Sequence, residues 1–354
     1  MKEKNKQLDF TGIKLFIGID VHKNSWTITI RTNEIALKTY SMNPSPKELY
    51  RHLQKYYPNA EYYSVYEAGF CGFWIHRELI NFGINSMVTN PADVPTKHKE
   101  RRRRRDKVDS RKLARELAKG SLDSIYTPTK EQEALKALSR RRYQIRKRTT
   151  QIKNRIKQFL YNRGFDIPQK SEISHWSGRF IHWLKSIKFD QPNDWYYLNS
   201  QLIDLENERK QMKNVLKTIR ELAKNNSIIQ YLKSVPGVGL ITAFTFYAEI
   251  MDIKRFKNLD HLAAFIGLVP DIEASGEKTN IKGLTKRYQK YLRSLLIEAA
   301  WIASANDPAL TLALSNLCKK KIKQKAIIKI TKKLVNRLRS VWINQQEYVY
   351  AVVQ

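Results

Sequence analysis

Four acids are placed to do chemistry in this chain: Asp20, Glu67, Asp106 and Asp109. Asp20 ends the apolar run Leu15-Phe16-Ile17-Gly18-Ile19, and Glu67 ends the run Tyr62-Tyr63-Ser64-Val65-Tyr66. Both runs read as strands, the first of them buried. Asp106 and Asp109 open a helical stretch at a spacing that projects both from one face. Carboxylates at two strand ends and a helix start can converge on divalent cations, Mg²⁺ or Mn²⁺. Two such ions about 4 Å apart clamp the attacking and leaving oxygens of a phosphodiester. Each acid alone has an ordinary explanation. A strand-end Asp commonly caps a turn, and acids at a helix start complement the macrodipole. Four acids in this order favour the joint reading.

Other groups qualify that chemistry. Asp106 and Asp109 directly follow Arg101, Arg102, Arg103, Arg104 and Arg105. Such a run can be a solvated charge cluster, but guanidinium groups grip phosphate bidentately, and we read a nucleic-acid strand there. His22 stands two residues after Asp20; it can touch a metal or phosphate, although a surface or satisfied core histidine is the commoner role. Ser275 lies in the polar segment 270–285, read as a flexible loop and followed by Lys278, Lys282, Lys286, Arg287 and Arg293. A serine nucleophile needs free approach and cations for the developing charge. Spacing alone leaves a local turn serine ahead. Gly237 and Gly239, in Val235-Pro236-Gly237-Val238-Gly239, read as a helix-hairpin-helix turn whose backbone N–H groups can face a phosphate, or as an ordinary turn between helices.

The elements that must position these groups follow from periodicity. Residues 13–20, 26–30 and 34–42 predict three strands, 46–57 a helix, 62–67 a fourth strand, 73–82 a helix, 84–89 a fifth strand, and 106–119 a closing helix. This is the RNase H order, in which strands one and four lie side by side and bring Asp20 next to Glu67. Two heptad-like seams follow: Leu135, Leu138, Arg142, Ile145, Thr149, Ile152, Ile156 and Phe159, then Leu198, Leu202, Leu205, Arg209, Met212, Leu216 and Ile219. They predict two long helices across a weakly patterned stretch, 165–194, forming an antiparallel pair or a dimer coil. Helices are expected at 240–250, 262–268 and 291–305, with a basic helix from Lys319.

The chain has 354 residues, with 65 Lys+Arg against 33 Asp+Glu, a net charge of +32. That charge calls for a polyanion, and its spread along the chain favours nucleic acid over a membrane surface. With 42% hydrophobic residues the chain buries real cores. Cys71 and Cys318 offer neither zinc spacing nor a disulfide framework, as expected of a cytoplasmic, nucleoid-associated protein. No apolar signal core or membrane-length apolar run is present, so no membrane partner is expected.

Taken in order, these residues resemble the DEDD-type insertion-sequence transposases, a family of bridge-RNA-guided recombinases that is also similar to pilin-type DNA invertases. The resemblance rests on Ile17-Gly18-Ile19-Asp20-Val21-His22-Lys23, Tyr66-Glu67-Ala68 and the segment from Asp106 to Ala114. It continues through Pro236-Gly237-Val238-Gly239, Ala248-Glu249-Ile250, Arg255-Phe256, the segment from Leu262 to Pro270, Ser275-Gly276, Gly283, Lys286 and Leu292-Arg293. The chain departs from the family's small residues after the loop lysine, carrying Arg287, Tyr288 and Gln289. The resemblance implies an α/β RuvC-like domain whose acids, Asp20, Glu67, Asp106 and Asp109, hold Mg²⁺. It also implies that Ser275 is a nucleophile toward DNA.

The expected organisation is a RuvC-like catalytic domain (1–125), a helical coiled-coil arm (126–230), a mainly α serine-bearing domain with a helix-hairpin-helix-like element (231–318) and a basic C-terminal helix (319–354). The expected activity is transposition through a phosphoserine intermediate. Candidate nucleic-acid contacts are Arg101–Arg105, Gly237, Gly239, Lys278, Lys286, Arg287 and Arg293. Expected partners are donor and target DNA, a guide RNA and further copies of the chain in a homodimer or tetramer, since a site shared between protomers fits the long separation of Ser275 from the acids. The alternatives are a metal-dependent junction nuclease in which water attacks, and a non-enzymatic nucleic-acid-binding protein.

Overall fold

The computed structural model describes residues 9–95, 106–275, 278–285 and 288–350, without the side chains of 106–107, 272–275 and 278–282. It divides into two compact units, Met1–Pro128 and Thr129–Gln354.

The first unit is built on a five-stranded sheet. Its strands are β1 (Lys14–Val21), β2 (Trp26–Arg31), β3 (Ala36–Met42), β4 (Glu61–Glu67) and β5 (Asn85–Thr89), in the spatial order β3-β2-β1-β4-β5. β1 pairs antiparallel with β2 and parallel with β4. This mixed sheet is RNase H-like, as the order of strands and helices predicts. Alternation sends Leu15, Ile17 and Ile19 of β1 to one face. There they join Ile28, Ile30 and Tyr66 in a core closed by α1 (Pro46–Tyr56) and α2 (Trp74–Asn81), through Leu49, Leu53, Ile75 and Leu79. Trp26 is buried in the same core, and Tyr63 stacks on Phe16, so these aromatics serve packing.

The opposite face carries α3 (Asp106–Ala118). Gly18 makes its close approach possible: a Cβ there would collide with the Ser110 carbonyl oxygen and lie 2.5 Å from the Ala114 nitrogen. Thr29, directly across from Gly18 on β2, shares a buried hydrogen bond of 2.9 Å with the Ser110 hydroxyl. Val65, across from Gly18 on β4, packs with Leu113. α3 is thus seated on the centre of the sheet.

Among the described residues, the regular elements of the second unit are helical apart from one hairpin. α4 (Lys130–Asn162) and α6 (Pro192–Lys224) run antiparallel, as ion pairs Arg163–Asp194 and Arg148–Glu208 show. Ile145, Ile152, Ile156, Leu198, Leu202, Leu205 and Ile219 are buried along this pair, and Val215 rather than Leu216 continues the seam. The two arginines that interrupt the seams leave it by their length: Arg142 donates to the Tyr291 hydroxyl at 2.7 Å and Arg209 to the Trp176 carbonyl at 2.6 Å. The stretch read as weakly patterned contains α5 (Gly178–Ser186), whose Phe180 and Leu184 are fully buried against the pair.

The remaining helices share one core with the near half of that pair: α7 (Ser227–Ser234), α8 (Leu240–Ile250), α9 (Leu259–Ile266), α10 (Lys290–Asn306), α11 (Pro308–Cys318) and α12 (Lys323–Asn344). Two expectations are corrected here. The segment 270–285 is not a loop but an antiparallel hairpin of β6 (Pro270–Ser275) and β7 (Lys278–Leu284). The Gly276-Glu277 dipeptide between alternating segments is a hairpin signal that its polar composition masked. The basic helix begins at Lys323 rather than Lys319, because Asp307 and Pro308 start a separate helix that ends at Cys318. α12 is no basic tail: Ile327, Ile330, Leu334, Val335 and Leu338 bury one face of it.

Candidate active site

Asp20, Glu67 and Asp109 come to one side of the first unit's sheet. In the parallel β1/β4 pair Ile19 lies opposite Tyr66, so Asp20 and Glu67 each follow by one residue at neighbouring strand ends. By period two, Asp20 shares the face of Gly18, and Glu67 shares the face of Val65. That is the face covered by α3, so strand and helix acids come to one side. Asp109 lies in the first half of α3 and Asp106 opens it; the Asp106 side chain lies outside the described residues.

Glu67 and Asp109 are joined by a cation that sequence reading did not single out. Lys112 is buried, 7% exposed, with Nζ 3.3 Å from Asp109 Oδ1 and 3.7 Å from Glu67 Oε1. Its signal in the sequence was available: it stands one helical turn after Asp109, where an i,i+3 ion pair forms. His22 Nε2 lies 3.3 Å from Asp20 Oδ2, with the imidazole half exposed. Glu116, another acid of α3, is engaged elsewhere. Burial opposes its ionisation, but bonds from Arg115 and Ser121 prevail and hold its carboxyl below the usual range.

The fold and its acids imply a divalent metal. Among the described residues no three His, Cys, Asp or Glu are gathered closely enough to hold an ion. Yet the residues present suit one. Asp20, Glu67 and Asp109 offer only hard carboxylate oxygens, the donors of Mg²⁺ and Mn²⁺. The Lys112 ammonium already lies between two of them.

Ser275 closes β6 in the second unit, in register with Lys278 across the two residues Gly276 and Glu277, which lie outside the described residues. Lys286 and Arg287 also lie outside them, as do Arg101–Arg105. Arg293, from α10, stacks its guanidinium 3.3 Å from the centre of the Tyr288 ring, and its Nη1 donates to the carbonyls of Gly267 and Thr285 at 3.0 and 3.3 Å. It therefore ties the start of α10 to the base of the hairpin. Gly237, with φ of 79°, meets α10: a Cβ there would lie 2.5 Å from the Ala299 carbonyl oxygen and the Ala303 nitrogen. Gly239 caps α8 with open space beside it. Glu249 is structural, buried on α8 and bound by Arg140 at 2.9 and 3.2 Å.

Sequence comparison covers both regions. A profile described as Transposase, of the DEDD type, matches residues 17–162, which contain all four acids. A second, described as Transposase IS116/IS110/IS902 family, matches residues 229–313, which contain Ser275. The chain is similar to a putative transposase, y4qE, of Sinorhizobium fredii, at 29% identity over 81% of this chain and 71% of that protein. It is 30% identical to the transposase for insertion sequence element IS1111A of Coxiella burnetii, over 67% of this chain and 64% of that protein. It is also 26% identical to the transposase for insertion sequence element IS1533 of Leptospira borgpetersenii, over 81% of this chain and 85% of that protein. With the two profiles matched in order, the first of them over the sheet and helix that carry the acids, the chain belongs to the IS116/IS110/IS902 family of DEDD transposases.

Proposed function

We propose that this transposase cuts and rejoins DNA with two sets of groups: the carboxylates Asp20, Glu67, Asp106 and Asp109, and the hydroxyl of Ser275. The observation that carries the reading is the placement of Asp20 and Glu67 at adjacent parallel strand ends, with Asp109 linked to Glu67 through Lys112. An RNase H-like sheet needs no such cluster for stability, since like charges at one edge repel.

Asp20, Glu67 and Asp109, with Asp106, would hold Mg²⁺ or Mn²⁺. Bound there, the ions would polarise the scissile phosphate and steady charge on the attacking and leaving oxygens. Ser275 supplies the attacking oxygen. Its Oγ forms a bond to phosphorus, the phosphorus–oxygen bond to one DNA end breaks, the serine proton passes to solvent and the departing deoxyribose oxygen takes up a proton. The phosphoserine conserves the phosphodiester, so the reverse attack by a different DNA end rejoins strands without external energy. Lys278, Lys286 and Arg287, flanking Ser275 in sequence, would neutralise the phosphate as charge develops.

The net charge of +32 supports DNA and RNA as partners. No base-reading motif is visible in the chain, which supports delegating target choice to a guide RNA, with the protein reading backbone shape. Assembly as a dimer or tetramer belongs to the same reading.

The test is to trap a reaction on supercoiled donor DNA with denaturant and map the adduct by mass spectrometry. A DNA-linked peptide containing Ser275, absent from Ser275→Ala, is the expected result. Efficient strand exchange by Ser275→Ala, or an adduct on another residue, removes the serine from the chemistry. Cleavage without an adduct favours the junction nuclease, in which water attacks. Nucleic-acid binding without metal-dependent cleavage favours the non-enzymatic alternative.

A further inference from the structure

We infer that the long-helix arm of the second unit carries a phosphodiester-backbone site, in the trough where α5 rests on α4 and α6. The inference depends on the proposed function only for the class of partner, a nucleic acid. The trough is a cleft of about 950 Å³. Its cations are Arg146 and Lys153 from α4, Lys185 from α5, and Arg209, Lys210 and Lys213 from α6; Glu206 is the one carboxylate among its lining residues.

What marks the site is that, apart from Arg146, which reaches Glu298 at 3.9 Å, its cations pair with no carboxylate among the described residues. Elsewhere in this unit cations meet acids: Arg140 with Glu249, Arg148 with Glu208, Arg163 with Asp194 and Arg337 with Asp307. In the trough, Lys153, Lys185, Lys210 and Lys213 form no ion pair with a described residue. Lys153 lies 5.3 Å from the centre of the Trp176 ring, and its ammonium is held below the usual lysine range by burial and then by the charges of Arg209 and Lys157. Arg209 is fixed in place by its bond to the Trp176 carbonyl.

Helical spacing makes the array one-sided. Arg209, Lys210 and Lys213 fall within one turn or so of α6, and Arg146 and Lys153 stand two turns apart on one side of α4. A row of like charges fixed on rigid helices raises the energy of the empty protein and lowers it when a polyanion enters. The apolar floor, including half-exposed Ile203, accommodates sugar and base surfaces while the rim takes phosphates. A second copy of this chain is a poor occupant, because at +32 it brings mainly more positive charge.

The experiment uses full-length protein in which exposed Lys185, Lys210 and Lys213 are changed together to glutamine, with circular dichroism to confirm the fold. A matched variant, Lys47→Gln with Arg51→Gln and Lys55→Gln on α1, removes equal charge elsewhere. Fluorescence anisotropy follows binding of a single-stranded RNA and of a DNA duplex across ionic strength. The trough variant should lower the slope of log K against log salt by about 2 to 3, at roughly 0.7 to 0.9 per lost phosphate contact. It should also lose about 10-fold or more in affinity at moderate salt, while the α1 variant changes the slope by less than about 1. The nucleic acid whose slope falls identifies the occupant as RNA or DNA. Equal slopes for trough variant and wild type, or equal losses in the two variants, overturn the proposal. So does unchanged binding with an altered oligomeric state by sedimentation, which gives the trough to a protein partner. Wild-type protein that binds neither nucleic acid defeats the proposed function itself, a separate outcome.

Discussion

The Lys112 ammonium lies 3.3 Å from the Asp109 carboxylate one turn earlier on the same helix, and it reaches Glu67 on β4 at 3.7 Å. A buried amine between two acids, both about a third exposed, holds the acidic edge together when no other cation is there. Lys112→Met should therefore destabilise the protein in chelator-treated buffer by about 1–2 kcal/mol, discounted for the exposure of the acids. Added Mg²⁺ or Mn²⁺ should raise the melting temperature of Lys112→Met more than that of wild type. Differential scanning fluorimetry with and without metal measures both, and identical metal responses would show that Lys112 does not stand where a metal is drawn.

Gly18 sets the distance between α3 and the sheet. Gly18→Ala puts a methyl group against the Ser110 carbonyl and Ala114 nitrogen, and backbone on both sides leaves it nowhere to go. A loss of about 2–3 kcal/mol is expected, at the upper end for overpacking. Because the same shift moves Asp109 relative to Glu67, metal-induced stabilisation should fall as well. Denaturant unfolding in both metal conditions reads the two effects, and a variant as stable as wild type would refute the close approach.

Asp20→Asn and Asp109→Asn each remove one negative oxygen from the acidic edge without changing side-chain size. Both should leave nucleic-acid affinity within about 3-fold of wild type, since backbone contacts are made by cations. Both should reduce strand cleavage by about 10²-fold or more. Gel assays of cleavage beside anisotropy of binding separate the effects; normal cleavage by either variant removes that carboxylate from the reaction.

Asp307 gives a pH dependence with a definite sign. It is buried, caps α11 through the Leu310 N–H, and accepts hydrogen bonds from Arg337 and Tyr348. Burial opposes its ionisation, yet the bonds from Arg337 and Leu310 prevail and hold the carboxyl below the usual range. A group with a depressed folded pKa contributes stability above its unfolded pKa, near 3.9, and loses it as pH falls through the folded value. Asp307→Asn should thus cost about 2–4 kcal/mol at neutral pH, and the gap from wild type should narrow below about pH 4. A gap independent of pH would assign the loss to shape rather than charge.

The sequence by itself determined much of this protein. The RNase H-like order was readable because each strand and helix of the first unit has its own periodicity and its own stop, as with Asp20 after Ile19 or Ser45 capping α1. The long helices were readable for the same reason. What sequence reading lost were features that depend on partners distant in the chain. Lys112 sat unremarked within the Asp106–Ala114 motif, because only the seating of α3 over Gly18 brings its amine to Glu67. The hairpin holding Ser275 was concealed by polar residues whose pairing, Ser275 with Lys278 and Ile272 with Ile281, compensates for their weak apolar signal. Gly237 read as a phosphate-facing turn or an ordinary turn between helices, and only tertiary packing shows α10 lying against its α-carbon. The cationic trough is assembled from three helices separated by a turn and a loop, so no single stretch contains it. Local patterns are written in neighbouring residues; charge clusters and close approaches arise from contacts between distant ones, and only the folded chain makes those.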